Sequence, residues 1–213
     1  MKRLLTLTLA LVALVSVTGF GLAQERAVIK VNPSVEAQEQ SPSLSCCECL
    51  GKITTIDLST GQGGAIDPRW NVNPSGPAYL TPPFPGWILP SNALLAPAKW
   101  IQPVAPPQTG VGAGDYRYTV RFNTPKCTIP STVQLDVKFA ADNSAKVLLD
   151  NNPVPTTPCL GTCFKAPQAP VQFTTPVSTS STSHMLEFVV HNDSGPSGFI
   201  ANVKLTRTCQ KYP

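Results

Sequence analysis

Seven cysteines carry the most definite chemistry in this chain. In an oxidising compartment, thiols of an exported protein form disulfides, so structural bridges are the first interpretation. Cys159 and Cys163, separated by Leu-Gly-Thr, are near enough to close a bridge around a glycine turn. Because seven is odd, at least one thiol is free or pairs with a second chain. The seven are Cys46, Cys47, Cys49, Cys127, Cys159, Cys163 and Cys209.

A zinc site is the alternative chemistry for the same thiols. Zinc sites usually present paired Cys-x-x-Cys knuckles, whereas the spacings here are Cys-Cys-x-Cys in 46–49 and Cys-x-x-x-Cys in 159–163. The spacing therefore favours disulfides. One bridge would join Cys209, after the last predicted strand, to the 46–49 cluster before the first. Cys127 could take another member of that cluster.

Aromatic and polar side chains in the middle of the chain suit the binding of a sugar. A pyranose needs a flat aromatic face and a few amides or carboxylates for its hydroxyls. Trp87, Trp100 and Tyr79 could supply the aromatic faces, and Asp142 and Asn143 the polar contacts. The competing interpretation is that the tryptophans hold a proline-rich loop on the fold while Asp142 and Asn143 form a turn. Both interpretations stay open at this point.

Catalytic chemistry has little support in the sequence. His184 and His191 are seven residues apart on one predicted strand, so they point to opposite faces. The chain contains no Gly-x-Ser-x-Gly, His-Glu-x-x-His or phosphate-loop motif. The Asp-Ser-Gly tripeptide at 193–195 is too short a match to predict a protease. We expect no enzyme and no cofactor; a structural calcium, which needs six or more oxygen ligands, stays open.

The chain begins with the pattern of a secretory signal. A basic start and an apolar run from Leu4 to Val17 are followed by small residues up to Ala23. We expect residues 1–23 to be cleaved as a signal peptide. Residues 24–45 then form a flexible tail, and residues 46–213 form a disulfide-stapled domain. The expected location is secreted or at the cell surface, with no membrane insertion of the mature chain.

The amino-acid composition indicates which classes of binding partner are disfavoured. The 213 residues include 16 Lys and Arg against 12 Asp and Glu, a formal net charge of +4. Without the two basic residues of the signal, the balance is 14 against 12, or +2. A charge this small and scattered does not predict a nucleic-acid partner. The hydrophobic fraction of 42% is sufficient for one packed core.

Alternating patterns predict strands. Apolar and polar side chains alternate in 116–123 and in 132–139, the period of a half-buried antiparallel strand. The proline-rich segment 70–107 is interpreted as a long ordered loop, with a short edge strand or turn near 99–102. The pattern as a whole predicts an all-β, two-sheet antiparallel sandwich. Further strands are predicted at 52–58, 145–150, 171–174, 185–191 and 198–207.

Several segments together resemble the galactose-binding-like jelly-roll domains of exported bacterial proteins. The resemblance covers Ile53 to Thr208 and departs from the family pattern at 150–152, where a hairpin glycine is missing. It is carried by Asp67-Pro-Arg69-Trp70, Trp87, Ala98-Lys99-Trp100-Ile101, Tyr116-Arg-Tyr118, Ala140-Ala141-Asp142-Asn143, Val147-x-Leu149-Asp150-Asn151, and the strand from Leu186 to Asn192 followed by Gly195-Pro196-x-Gly198-Phe199.

The resemblance implies a sugar-binding or adhesion module, in some members with a structural calcium. We therefore expect a non-catalytic module that binds carbohydrate or another extracellular polymer, and no nucleic acid. The alternative function is a structural subunit of a cell-surface layer, matrix or filament. In that case the tail or an unpaired cysteine would support self-association.

Overall fold

The computed structural model describes residues 53–73, 76–106, 110–124, 128–129, 132–161, 163–166 and 168–208. This part of the chain forms an all-β fold, as predicted. None of its segments forms a helix with the length and apolar character needed to span a membrane. The strands are β1 (Ile53–Asp57), β2 (Ile66–Asn73), β3 (Gly76–Leu80), β4 (Ile101–Gln102), β5 (Gly114–Asn123), β6 (Gln134–Asp142), β7 (Ser144–Leu149), β8 (Asn152–Pro153), β9 (Val171–Pro176), β10 (Ser183–Asn192) and β11 (Gly198–Thr208).

The strands form one continuous antiparallel sheet. Its order is β8-β7-β10-β5-β2-β3-β4-β11-β6-β9, and β1 also pairs with β11. The sequence predicted two separate sheets, whereas here the short strands β3 and β4 connect them. β3 pairs with β2, and β4 pairs with both β3 and β11. The antiparallel all-β prediction is therefore confirmed, while the division into two sheets is not what the hydrogen bonding shows.

The curled sheet encloses an aromatic core. The ring centroids of Phe139 on β6 and Phe188 on β10 are 5.0 Å apart, and those of Phe188 and Phe199 on β11 are 4.5 Å apart. Strands from the two ends of the sheet thus contact each other through their inner faces. The predicted alternation holds in this core, since Tyr118, Val120 and Phe122 are buried together with the alternate residues of 133–139.

The turn between β7 and β8 explains how the hairpin forms without a glycine. Asp150 and Asn151 have φ angles of 51° and 64°, both in the left-handed region. A two-residue hairpin of this kind needs positive φ at both central positions, which Asp and Asn tolerate better than most residues. The Asp150 carboxylate also accepts a hydrogen bond from the backbone N–H of Met185, at 2.8 Å. This contact joins the turn to β10.

The segment 70–107 is less irregular than the sequence predicted. β2 continues to Asn73 and β3 follows at once, although β3 contains Pro77. Of the edge strand or turn predicted near 99–102, a strand is present as β4, but it is not an edge, because it pairs with both β3 and β11. Within the described part of this segment, residues 81–100 form a long loop, which we call the tryptophan loop. Its Leu95 and Ala98 are buried in a second core cluster with Ala140 of β6 and Ile200 of β11, so it covers the outward side of these strands.

Asn202 on β11 holds the tryptophan loop in place. Its side-chain amide donates hydrogen bonds to the carbonyl oxygens of Leu94, at 3.1 Å, and Ala96, at 2.8 Å. Its side-chain oxygen accepts one from the Ser59 hydroxyl, at 3.3 Å. The Thr60 hydroxyl donates to the Lys99 carbonyl at 2.7 Å and adds a second attachment.

We expect Asn202→Ala to lower the free energy of unfolding by about 2 kcal/mol, because two partly buried hydrogen bonds to carbonyl oxygens of the loop are lost. Urea denaturation measures the loss, and hydrogen exchange should show faster exchange of the Leu95 and Ala98 amides. Asn152→Ala is the matched control, since Asn152 is exposed and its substitution should cost less than about 0.5 kcal/mol. Equal losses in both variants would contradict this role of Asn202.

Candidate functional site

The structure brings Trp87, Trp100 and Asp142 together beneath the tryptophan loop. The two indole centroids are 4.2 Å apart, and only 4% of Trp87 and none of Trp100 is exposed. The Trp100 N–H donates to the Ile88 carbonyl at 2.8 Å. Protein atoms therefore cover both rings, and neither offers a face to a sugar. This geometry supports the loop-packing interpretation of the two tryptophans.

Gly198 shows how tightly this cluster is packed. A Cβ atom built on Gly198 would lie 2.6 Å from the Trp87 ring and 3.2 Å from the Trp100 ring. Real side chains do not approach this closely, so only glycine lets the first residue of β11 lie against the indoles. Trp70, in contrast, packs in the main core 5.5 Å from Phe199. Trp70 thus belongs to a different core cluster from Trp87 and Trp100.

Asp142, the last residue of β6, has an unusual environment. Its Oδ2 accepts a hydrogen bond from the Trp87 N–H at 3.1 Å. Its Oδ1 is buried and has no hydrogen-bond partner among the described residues. Burial raises the pKa of Asp142 to about 6, although the bond from Trp87 and the charge of Lys165 act in the opposite direction. Carboxylates perturbed in this way are frequent at functional sites, but also in buried structural positions.

Asn143 and Tyr79 both make structural contacts. The Asn143 N–H donates to the His191 carbonyl at 2.8 Å, and its side-chain oxygen accepts from the Asp193 N–H at 2.7 Å. Asn143 thus ties the β6–β7 turn to the residues after β10. Tyr79 is half-buried on β3, paired with Ile66 and Gln102, and lies outside the tryptophan cluster. The five predicted ligand residues therefore do not form one open site.

Beside the tryptophan loop lies a shallow, mainly apolar depression of about 280 Å³. None of the five predicted ligand residues lines it, and it opens widely to solvent. Its shape indicates an irregular loop surface rather than a defined pocket. It is lined by Ile88, Leu89, Ser91, Asn92, Ala166 and Gln168.

The polar face that sequence reasoning missed lies on the outward side of four adjacent strands. We call it the outer face; along β2, β5, β10 and β7 it presents amide, hydroxyl, charged and short apolar groups. Strand pairing decides which of them become neighbours, which is why the one-dimensional pattern did not reveal it. The outer face comprises Asn71, Asn73, Arg117, Thr119, Arg121, Met185, Glu187, Val189, Lys146 and Leu148.

An ion pair lies at the centre of the outer face. Nη1 of Arg117 is 2.6 Å from Oε1 of Glu187, with 50% of the Arg117 side chain exposed but only 7% of Glu187. Glu187 is paired with Thr119 on one side and Leu148 on the other, and these neighbours cover it. The pair therefore tethers the guanidinium to a buried carboxylate while half of the Arg117 side chain stays exposed at the surface.

A second group that the sequence did not indicate joins Thr124, His184 and Asp150. Nδ1 of His184 lies 2.8 Å from Asp150 Oδ2, and Nε2 lies 3.0 Å from the Thr124 hydroxyl. This is the order of groups in a nucleophilic triad. However, Thr124 and His184 are buried, and the His184 ring stacks on Phe122. We interpret the group as a structural link between β10 and the β7–β8 turn.

His191 lies on the outward side of β10 and His184 on the inner side, as the sequence predicted. Nδ1 of His191 is 2.7 Å from Asp115, and its Nε2 is 3.4 Å from Asp193. Among the described residues, no group of three or more His, Cys, Asp and Glu side chains is arranged to hold a metal ion.

The bridge predicted between Cys159 and Cys163 is present in the structure, with Cα atoms 5.3 Å apart. Cys159 also forms an isolated β-bridge with Ala145 on β7, so the disulfide loop is attached to the sheet. The predictions for the other cysteines concern positions outside the described residues. These are Cys46, Cys47, Cys49, Cys127 and Cys209.

The comparisons with known proteins found no family. No protein-family model matches this chain. No curated protein is significantly similar to it in sequence. The class that the structure itself defines is an antiparallel all-β domain with an open polar face.

Proposed function

We propose that this chain is an exported, non-catalytic module that binds carbohydrate or a related extracellular polymer. The proposal includes cleavage of the signal after Ala23 and a jelly-roll relationship of the curled sheet to galactose-binding-like domains. The observation that carries it is the outer face, an exposed polar surface on adjacent strands. The corresponding side of β6 and β11 is covered by the tryptophan loop.

The chemistry of the outer face suits a hydroxyl-rich ligand. Asn71 and Asn73 are exposed amides, Arg117 is an exposed guanidinium, and each can exchange hydrogen bonds with sugar hydroxyls. Half-buried Met185 and Val189 lie between the polar groups and can cover the C–H side of a sugar ring. These positions are rigid because β5 and β10 are each hydrogen-bonded on both sides. A rigid surface loses little entropy on binding.

Binding to insoluble polysaccharides and to a glycan array tests the proposal. We expect the mature protein to be retained by at least one glycan, and Asn71→Ala with Asn73→Ala to weaken this binding about tenfold through two lost hydrogen bonds. Gln172→Ala, an exposed amide on β9, is the matched control and should bind like the parent. Retention by no glycan, or an equal loss in the control, would contradict the proposal.

Assembly into a surface layer is the second candidate, because β9 is a sheet edge. β9 pairs only with β6 among the described strands, and its sequence Val-Gln-Phe-Thr-Thr-Pro carries no charge. Uncharged edges can pair with another chain. If assembly is the function, Thr174→Lys should convert oligomers into monomers in light scattering. A parent protein that is monomeric at high concentration excludes assembly through this edge.

A further inference from the structure

We infer that the ligand of the outer face is an acidic polysaccharide, one that bears carboxylate or sulfate groups along its length. The inference rests on the proposed function and adds the chemical class of the polymer. It is carried by three cationic side chains, Arg117, Arg121 and Lys146, which strand pairing places on the same exposed surface.

The carboxylates closest to these cations already contact other side chains of the protein. The Glu187 carboxylate is bound to Arg117 and almost completely buried. Asp115 on β5 and Asp193 after β10 lie at one end of the outer face, where both contact the His191 ring, at 2.7 and 3.4 Å. Arg121 and Lys146 are exposed and belong to none of the ion pairs found among the described residues. Among the ten outer-face residues, these three cations stand against the single carboxylate of Glu187, which gives the face a net charge of +2.

The spacing of the cations indicates a polymer rather than a small anion. Arg117 and Lys146 are both paired with Val189, one on each side of it, so they stand two strands apart. At about 4.8 Å between neighbouring strands, their backbones are separated by about 10 Å. Arg121 is four residues from Arg117 on β5, about 14 Å along the strand. A single sulfate or carboxylate reaches one of these sites, whereas a chain with repeated anions reaches several.

Two features favour a polysaccharide over a nucleic acid. Proteins that bind single strands stack bases on exposed aromatic rings, and none of the outer-face side chains named above is aromatic. The face instead combines its cations with amides and the Thr119 hydroxyl, groups that pair with sugar hydroxyls. Three cations also make a small electrostatic footprint for a duplex, whose binding depends on many phosphate contacts.

Polymer pairs that differ only in charge provide the test. The mature protein is run through affinity gels containing dextran sulfate or dextran, and polygalacturonate or its methyl ester. We expect retardation by at least one acidic polymer, at least tenfold weaker binding of its neutral counterpart, and weaker binding of the acidic polymer as salt is raised.

Charge-removing variants locate the binding. Lys146→Gln and Arg121→Gln should each weaken binding of the acidic polymer about fivefold, the value expected for one exposed charge contact. Lys99→Gln is the matched control, because Lys99 is an exposed lysine of the tryptophan loop on the other side of the fold. It should bind like the parent, and circular dichroism checks that all three variants are folded.

The outcomes separate this inference from the proposed function. Equal binding of charged and neutral polymers would overturn the inference and leave the proposed function intact. Binding of no polysaccharide would overturn both. Equal losses in Lys99→Gln and Lys146→Gln, or duplex DNA binding as tight as that of the acidic polymer, would also overturn the inference, since the surface would then attract polyanions without selection.

Discussion

Trp100→Ala is expected to lower the free energy of unfolding by about 3–5 kcal/mol, the range for removing a fully buried tryptophan. The side chain is completely buried, lies 4.2 Å from Trp87 between ring centroids and donates to the Ile88 carbonyl. Its removal leaves a cavity beneath the tryptophan loop and an unpaired carbonyl. Chemical denaturation measures the loss, and proteolysis within 81–100 should accelerate.

Trp100→Phe is the graded control. It keeps most of the ring volume and loses the N–H donor, so the expected cost is about 1–2 kcal/mol. The same variants distinguish packing from ligand contact. If Trp100→Ala left stability unchanged and abolished glycan binding, the packing interpretation would be wrong and the sequence-based ligand prediction would be supported.

Asp142→Asn is expected to stabilise the protein increasingly as pH rises from about 4 to 6. Burial raises the pKa of Asp142 from 3.8 to about 6 in the folded state. The folded chain therefore holds this proton after the unfolded chain has released it, and the wild type loses stability across that window. A pKa difference of this size corresponds to about 3 kcal/mol. In the variant this dependence is absent.

Denaturation of both proteins at pH 3, 5 and 8 measures the effect. Their difference in unfolding free energy should change by about 3 kcal/mol between pH 3 and pH 8, with no further change above about pH 7. Asp136→Asn removes a carboxylate that is 45% exposed from the same face of the same strand and serves as the matched control. A difference that does not depend on pH, or the same pH-dependent gain in the control, would contradict this role of Asp142.

The strands were predictable because half-buried strands leave a period-two pattern in the sequence. This pattern identified the outward-facing polar positions of β5, which are Arg117, Thr119 and Arg121. It also identified the buried positions of β6. The Cys159–Cys163 bridge was also predictable, because its two cysteines are only four residues apart in the sequence. The strands β2 and β3 were missed because the prolines in and around them indicated a loop. Pro77 is tolerated inside the sheet because it precedes Tyr79, where the pairing of β3 with β4 begins.

The candidate site was not predictable from the same pattern. The sequence around Trp87 and Trp100 is the same whether their rings bind a ligand at the surface or pack inside the protein. The packing of the loop on Ala140 and Ile200 decides that the rings are buried. The pairing of Trp87 with Asp142 joins residues 55 positions apart. A periodic pattern within one strand cannot predict a contact between residues so far apart in the sequence.

The amino-acid sequence by itself determined the antiparallel all-β class, the alternation in 116–123 and 132–139 and the short disulfide loop, because these depend on neighbouring residues and on strand geometry. The tertiary structure alone decided that the indoles are buried, that the sheet is continuous through β3 and β4, and that Arg117, Arg121 and Lys146 share one face. The physical reason is strand register: it brings together side chains from distant parts of the chain, and it is set by how all the strands pack around the common core.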